Sequence, residues 1–388
     1  MRMKVLLLAA AIWILLGHAS SAQDTIKIGF IAPMTGQFSQ IGKHLIAGAK
    51  YYMQERGSSV AGKRIELLIR DDGGQPDTAK RIAQEYIVND KVAVLAGFTF
   101  TPVALAVAPL SAQAKIPQIV MGAGTSIITE RSPYIARTFF TLPQVAVPLA
   151  QWAAKNNIKR LVTLVSDYAP GHDAEKAFGD EYRKGGGEVV ASIRVPVQNP
   201  DFAPYLQRAR DANAEAIFVF IPGNQAGAFA RQYAERGISA SGVKLIGTGD
   251  MTDDDLLNSM GDAAIGIVTA HQYSAAHESD VNKAFVSGFK KATGMRPNFV
   301  SVAACDGMHL IYEALNKTGG ETDGDKLIAA MKGMSFESPR GPISIDPETR
   351  DIVQNVYIRR VERKDGELYN IEFDTFPAVK DPAKANPN

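Results

Sequence analysis

The stretch Ile116-Pro117-Gln118-Ile119-Val120-Met121-Gly122-Ala123-Gly124-Thr125-Ser126 joins a short apolar run to a loop of small residues and hydroxyls. The length of the run and its Pro and Gly borders suit a strand buried on both faces. The loop that follows offers no base, nucleophile or metal ligand. It offers backbone N–H groups and short hydroxyl donors, the materials of an anion cradle. Read alone, Gly122, Ala123 and Gly124 equally make a tight turn out of a strand.

The same pattern recurs outward in both directions. Upstream lie strand Thr25–Ile31, a helical pattern from Gly42 to Glu55, strand Ile65–Ile69, and a helix capped by Asp77. Strand Val92–Ala96 and a helix over 102–114 complete that series. Downstream the reading is strand 160–165, helix 173–184, strand 188–194, helix 202–212, strand 216–221, helix 225–236 and strand 243–247. Short apolar strands alternating with helices imply parallel sheets covered on both faces. Two such series predict an α/β fold of two lobes, and 388 residues exceed what one compact core holds.

The chain opens with Arg2 and Lys4, then the apolar run Val5–Leu16, then Ala19-Ser20-Ser21-Ala22. A charged start, a short apolar segment and a small-residue cleavage site predict a signal peptide over 1–22, cut after Ala22. Its loss takes two cations and no acid, moving the formal charge from +1 to −1. That balance provides no basic field, so nucleic acid is not expected as a partner. No cysteine follows the apolar segment, so an N-terminal lipid anchor is not expected. The single cysteine, Cys305, sits in an apolar stretch and reads as a buried helix residue.

In open α/β sheets ligands bind beyond the carboxyl ends of the strands. The loops to inspect are therefore 32–41, 97–101, 121–126, 166–172, 222–225 and 248–252. They mix rings with hydroxyls: Phe38 and Ile41 in the first, Phe100 and Thr101 in the second, Tyr168 and Pro170 in the fourth. A carboxylate accepting hydrogen bonds from Thr101, Thr125 and backbone N–H groups needs no buried arginine. Each such bond contributes roughly 1.5–3 kcal/mol.

Taken in order, "IKIGFIAPMTGQFSQIGKHLIAGAK", "RDDGGQPDTAKRIAQEYIVNDKVAVLAG", "AKIPQIVMGAGTS" and "GDAAIGIVTAH" resemble periplasmic solute-binding proteins of the leucine/isoleucine/valine-binding type. The likeness spans nearly the whole chain after the signal. It implies two Rossmann-like lobes joined by a three-stranded hinge, closing on a solute between them. The crossings would fall near Leu142, His271 and Asp351. Lobe 1 would take 24–142 and 272–351, and lobe 2 would take 143–271 and 352–380, with 381–388 a disordered tail. It further implies an ABC permease and its ATPase as partners, a monomeric receptor, no cofactor, no metal and no catalytic residue. In the family, a hydroxyl and a backbone N–H from the strand-end loops hold the ligand carboxylate. Those positions read Thr101, Ala123 and Thr125 here, with Gly124 beside them.

The departures bear on the solute. Family members that bind α-amino acids present a carboxylate to the ammonium from the loop that reads Gly247-Thr248-Gly249-Asp250 here. Either Gly249 or Asp250 falls at that position. Asp250 facing an ammonium would favour an amino acid, whereas Asp250 in a solvent-side turn would favour a plain acid. The aromatic of the preceding loop is replaced by Ile221-Pro222-Gly223-Asn224-Gln225, and the Tyr-Gly of the second lobe's first loop by Pro170-Gly171. Phe38, Phe100 and Tyr168 could form a flat slot, with His271 or Asn224 reading a distal hydroxyl. This resembles relatives that take up benzoates or phenylpropenoid acids; a branched or aromatic amino acid is the alternative, as is an exported sensor.

Enzyme chemistry finds no support in the motifs. The six histidines show no zinc-like pair on one helix face, and there is no nucleophile elbow, P-loop or dinucleotide fingerprint. Asp253-Asp254-Asp255 reads as the acidic first turn of a helix capped by Thr252.

Overall fold

The computed structural model describes residues 24–198, 200–221, 225–238 and 241–384. The expected signal peptide, Asn224 and the last four residues of the tail lie outside them.

The first sheet holds β1 (Thr25–Ala32), β2 (Ser59–Val60), β3 (Lys63–Asp71), β4 (Val94–Gly97), β5 (Gln118–Val120) and β6 (Ile135–Arg137). Their order is β2-β3-β1-β4-β5-β6, parallel apart from the short β2–β3 pair. Alternation along β1 sorts its side chains between two cores. Ile26, Ile28 and Phe30 join Leu45 and Ala49 of α1 (Ser39–Arg56) on one face. Ile31 joins α2 (Pro76–Glu85) and α3 (Thr101–Ala114) on the other. Asp77 is not the cap of α2. Pro76 already occupies the first turn, where its missing N–H costs nothing, and Gln75 precedes it.

The chain passes to a second sheet through α4 (Leu142–Lys155), opened by a Thr141/Gln144 capping box. That sheet contains β7 (Arg160–Ser166), β8 (Glu188–Val195), β9 (Ala216–Phe220), β10 (Lys244–Thr248) and β11 (Val268–His271), all parallel. Between them run α5 (Ala169–Lys184), α6 (Ala203–Asp211), α7 (Gln225–Glu235) and the short α8 (Leu257–Met260). Helix α5 starts at Ala169, a turn earlier than the sequence pattern suggests, because Pro170 suits a first turn.

After β11, helices α9 (Asp280–Thr293), α10 (Phe299–Lys317) and α11 (Gly324–Met331) return to the first sheet, α10 lying along α1. Strands β12 (Ser335–Ser338), β13 (Gly341–Ile345), β14 (Ile352–Lys364) and β15 (Glu367–Val379) then extend the second sheet in antiparallel pairs. The second sheet is therefore mixed rather than purely parallel. The β14–β15 hairpin turns at Asp365-Gly366, both with positive φ, as a two-residue primed turn requires. Although β12 and β13 fall within 272–351, they hydrogen-bond into the second sheet.

The tail corrects one expectation. Pro382–Lys384 forms a 3-10 turn. Lys384, only 7% exposed, places its ammonium 2.6 Å from Asp351. Cys305 lies within α10, its thiol donating to the Gly48 carbonyl at 3.2 Å.

Candidate functional site

The loop 121–126 leaves the carboxyl end of β5 and is held from beneath by Arg137, which is fully buried. Its guanidinium donates to the carbonyls of Ala123 at 3.2 Å and Thr125 at 2.7 Å. Asp351 neutralises it at 2.6 Å. With the Ala123 carbonyl turned down onto the arginine, the N–H of Gly124 points the opposite way across the trans peptide. Gly122 must stay small, since a Cβ there would lie 2.8 Å from Thr99 Cα.

Thr101 and Thr125 meet across two loops, their hydroxyls 3.0 Å apart and both residues under 4% exposed. Thr101 begins α3, whose first-turn amides have no side-chain cap, and α5 across the cleft likewise starts uncapped after Tyr168. Two helix N-termini with unclaimed donors favour an anion by dipole and by hydrogen bonding together. The buried Thr99 Oγ1 also has no partner among the described residues.

Thr99, Phe100, Thr101, Gly122, Ala123 and Gly124 line one wall of a narrow cleft with a free cavity volume of about 50 Å³. A column of rings crosses from lobe to lobe beside them. Phe38 stacks on Phe100 with centroids 4.9 Å apart, Phe100 on Tyr168 at 5.7 Å, and Tyr168 on Phe220 at 6.1 Å. The slot expected between Phe38, Phe100 and Tyr168 is thus closed: the rings lie on one another and form a wall. Burial and the charge of Asp250 hold the Tyr168 phenol protonated. Phe139, Phe140, Leu142, Phe299 and Val300 supply a further apolar lining.

Two carboxylates complete the lining. Asp250 accepts from Thr248 Oγ1 at 2.9 Å, and burial raises its pKa to about 6. It lies in the cleft and not in a solvent-side turn. Asp253, raised to about 7 by burial and its acidic neighbours, accepts from Asn298 Nδ2 of the first lobe at 2.9 Å. Its neighbours also have partners: Asp255 lies 2.8 Å from His44 Nε2, and Asp254 accepts from Asn370 at 3.1 Å. The acidic run is therefore not a helix's first turn. Thr252 ends a 3-10 segment, and the three carboxylates separate to three different partners.

The cleft gathers Phe38, Ile41, Phe100, Thr101, Ala123, Gly124, Tyr168, Pro170 and Asp250, with Thr125 joined to them through Thr101. His271 is elsewhere. It is fully buried beside the lining, edge-on to Phe140 at 4.8 Å and to Phe299 at 4.5 Å. Burial and the nearby Arg359 charge push its pKa well down, so the ring is neutral. Thr99, Phe139, Phe140, Phe220, Asp253, Phe299 and Val300 complete the lining without having been anticipated. Phe220 had a signal: it is the last residue of an apolar strand, one position before the loop in which an aromatic was sought. Nothing local marked Phe299 or Asp253, which arrive from distant segments.

Residues 25–367 match the model of a family described as periplasmic binding protein. The chain is 42% identical over 384 residues to Leu/Ile/Val-binding protein homolog 6 of Brucella abortus, covering 98% of each. A solute-binding protein of an ABC transporter from Rhodopseudomonas palustris BisB5, solved with 3,4-dihydroxybenzoic acid, is 62% identical with a TM-score of 0.92. That match covers 94% of this chain and 100% of the other. A second R. palustris solute-binding protein, solved with 4-hydroxybenzoate, is 44% identical with a TM-score of 0.91, covering 93% and 100%. With two α/β lobes around a cleft of open amides, hydroxyls and rings, the chain belongs to the periplasmic binding protein family.

Proposed function

We propose that this protein is the periplasmic receptor of an ABC importer and captures an aromatic carboxylate between its lobes. The observation that carries the reading is the pairing, in one cleft, of a donor cradle with a ring-lined wall. The cradle is Thr99, Thr101, Thr125 and the Gly122–Gly124 amides; the wall is Phe38, Phe100, Tyr168 and Phe220. A benzoate-like solute presents a charge to the first and a flat apolar face to the second. The dihydroxybenzoate and hydroxybenzoate held by the two R. palustris proteins support this ligand class. Export through the signal peptide over 1–22, delivery to a membrane permease with its ATPase, and action as a monomer belong to the same proposal.

A second reading has one observation in its favour. Asp250 and Asp253 both line the cleft, and a carboxylate there could face the ammonium of a branched or aromatic amino acid. A thermal-shift screen separates the two, because a ligand that binds only the folded state raises melting by RT ln(1 + [L]/Kd). Benzoate, 4-hydroxybenzoate and 3,4-dihydroxybenzoate are expected to shift the protein, and leucine, valine and phenylalanine to leave it unmoved. Shifts confined to the amino acids would replace the aromatic-acid reading with the second.

A further inference from the structure

Opposite walls of the cleft carry opposite chemistry. The first-lobe wall offers donors: the Thr99 hydroxyl without a partner, the Thr101–Thr125 hydroxyl pair and the uncapped start of α3. The second-lobe wall offers acceptors, the carboxylates of Asp250 and Asp253. The donor wall is the better seat for the carboxylate of an aromatic acid, and with the carboxylate there the distal ring edge meets Asp250 and Asp253. A bare C–H edge there leaves two half-buried carboxylates without a donor from the ligand. A hydroxyl satisfies them.

We propose that Asp250 and Asp253 determine specificity by accepting hydrogen bonds from hydroxyls on the ring edge opposite the ligand's carboxylate, selecting a dihydroxylated benzoate over benzoate. The assignment rests on the aromatic-acid reading given above and adds the substituent pattern and the residues that read it. The surroundings of the two acids support it. Asp250 accepts from Thr248 Oγ1 at 2.9 Å through Oδ2 and from its own backbone N–H. Asp253 receives Asn298 Nδ2 on Oδ2 and the Asp255 N–H, at 3.3 Å, on Oδ1. Among the described residues no arginine or lysine lines the cleft; the buried Arg359 acts on Asp250 from behind, and His44 on Asp253.

Asp253 has a second role through Asn298, which belongs to the opposite lobe and caps α10. The group that reads the hydroxyl is therefore also a lobe-to-lobe contact. The His44–Asp255 pair lies two residues on.

The test is isothermal titration of wild type, Asp250→Ala and Asp253→Ala with benzoate, 4-hydroxybenzoate and 3,4-dihydroxybenzoate, with melting of each empty protein as a folding check. Wild type should bind the dihydroxy acid at least about tenfold more tightly than benzoate, the size of a hydrogen bond to a charged acceptor. Each variant should lose most of that ratio, its affinity for the dihydroxy acid falling by a larger factor than its affinity for benzoate. Asp250→Asn and Asp253→Asn, which keep the shape, should lose part of it and serve if an alanine variant does not fold. Equal loss for all three acids, or an unchanged ratio, overturns the assignment and leaves the aromatic-acid reading standing. Failure of all three acids to bind wild type overturns both.

Discussion

Phe100 of the first lobe and Tyr168 of the second lie face to face, ring centroids 5.7 Å apart and planes 27° apart. A further ring cannot enter between them as they stand, because two successive face-to-face contacts need about 7 Å. The pair therefore bridges the two lobes and forms one wall of the cleft. Tyr168→Ala should weaken binding of aromatic acids by about 0.5–1.5 kcal/mol, roughly two- to twelvefold in Kd, whereas Tyr168→Phe should bind as wild type. Titration calorimetry decides it; equal loss in both variants would assign the effect to the phenol instead of the ring.

Thr125 tests the cradle. Thr125→Ala should weaken carboxylate binding by at least about 1 kcal/mol, and Thr125→Ser, which keeps the hydroxyl, should restore it. Unchanged affinity in the alanine variant would remove Thr125 from the site.

Arg137 tests what lies beneath the cradle. It is fully buried, tied to Asp351 and to two carbonyls of the loop. Arg137→Ala removes one of the two buried cations on Asp351, Lys384 remaining at 2.6 Å, and leaves the Ala123 and Thr125 carbonyls without their donor, so it should cost about 3 kcal/mol of stability. Arg137→Lys keeps the charge but not the fork, so affinity should fall more than the melting temperature does. Urea unfolding together with ligand titration measures both.

Asp253 gives the empty protein a pH dependence. Its carboxyl is raised to about 7, chiefly by burial, against an unfolded value of about 3.9. The folded state then binds the proton more strongly. This contribution is full below about 3.9, falls as pH rises from there and is gone above about 7. Asp253→Asn, which mimics the protonated form, should exceed wild type by about 1 kcal/mol or more at pH 8, and the gap should narrow steadily as pH falls from 7 toward 4. Urea midpoints across that range check it, and a gap that widens in acid would contradict the sign.

Much of the scaffold is readable in one dimension because strands buried on both faces are short apolar runs, and helices separate them. The strand-end loops followed from the same logic, which is why Thr101, Ala123 and Tyr168 could be named. The antiparallel additions were less visible. The Asp365-Gly366 turn is a local hairpin signal, but the pairing of β14 with β11 is a long-range event. Arg137 with Asp351, and Asp253 with Asn298, are joined only by folding, across 214 and 45 positions. Neither spacing carries a period that a linear reading could detect. His271 illustrates the converse: a polar residue at a strand end was assigned to the ligand, whereas full burial against Phe140 and Phe299 gives it to the hinge.

Lys384 reaches back to Asp351, which grips Arg137, which in turn braces the loop 121–126 on the cleft wall. The 3-10 turn at Pro382–Lys384 is thus linked to that wall through two buried ion pairs, so a substitution at Lys384 would be felt more than a hundred positions away.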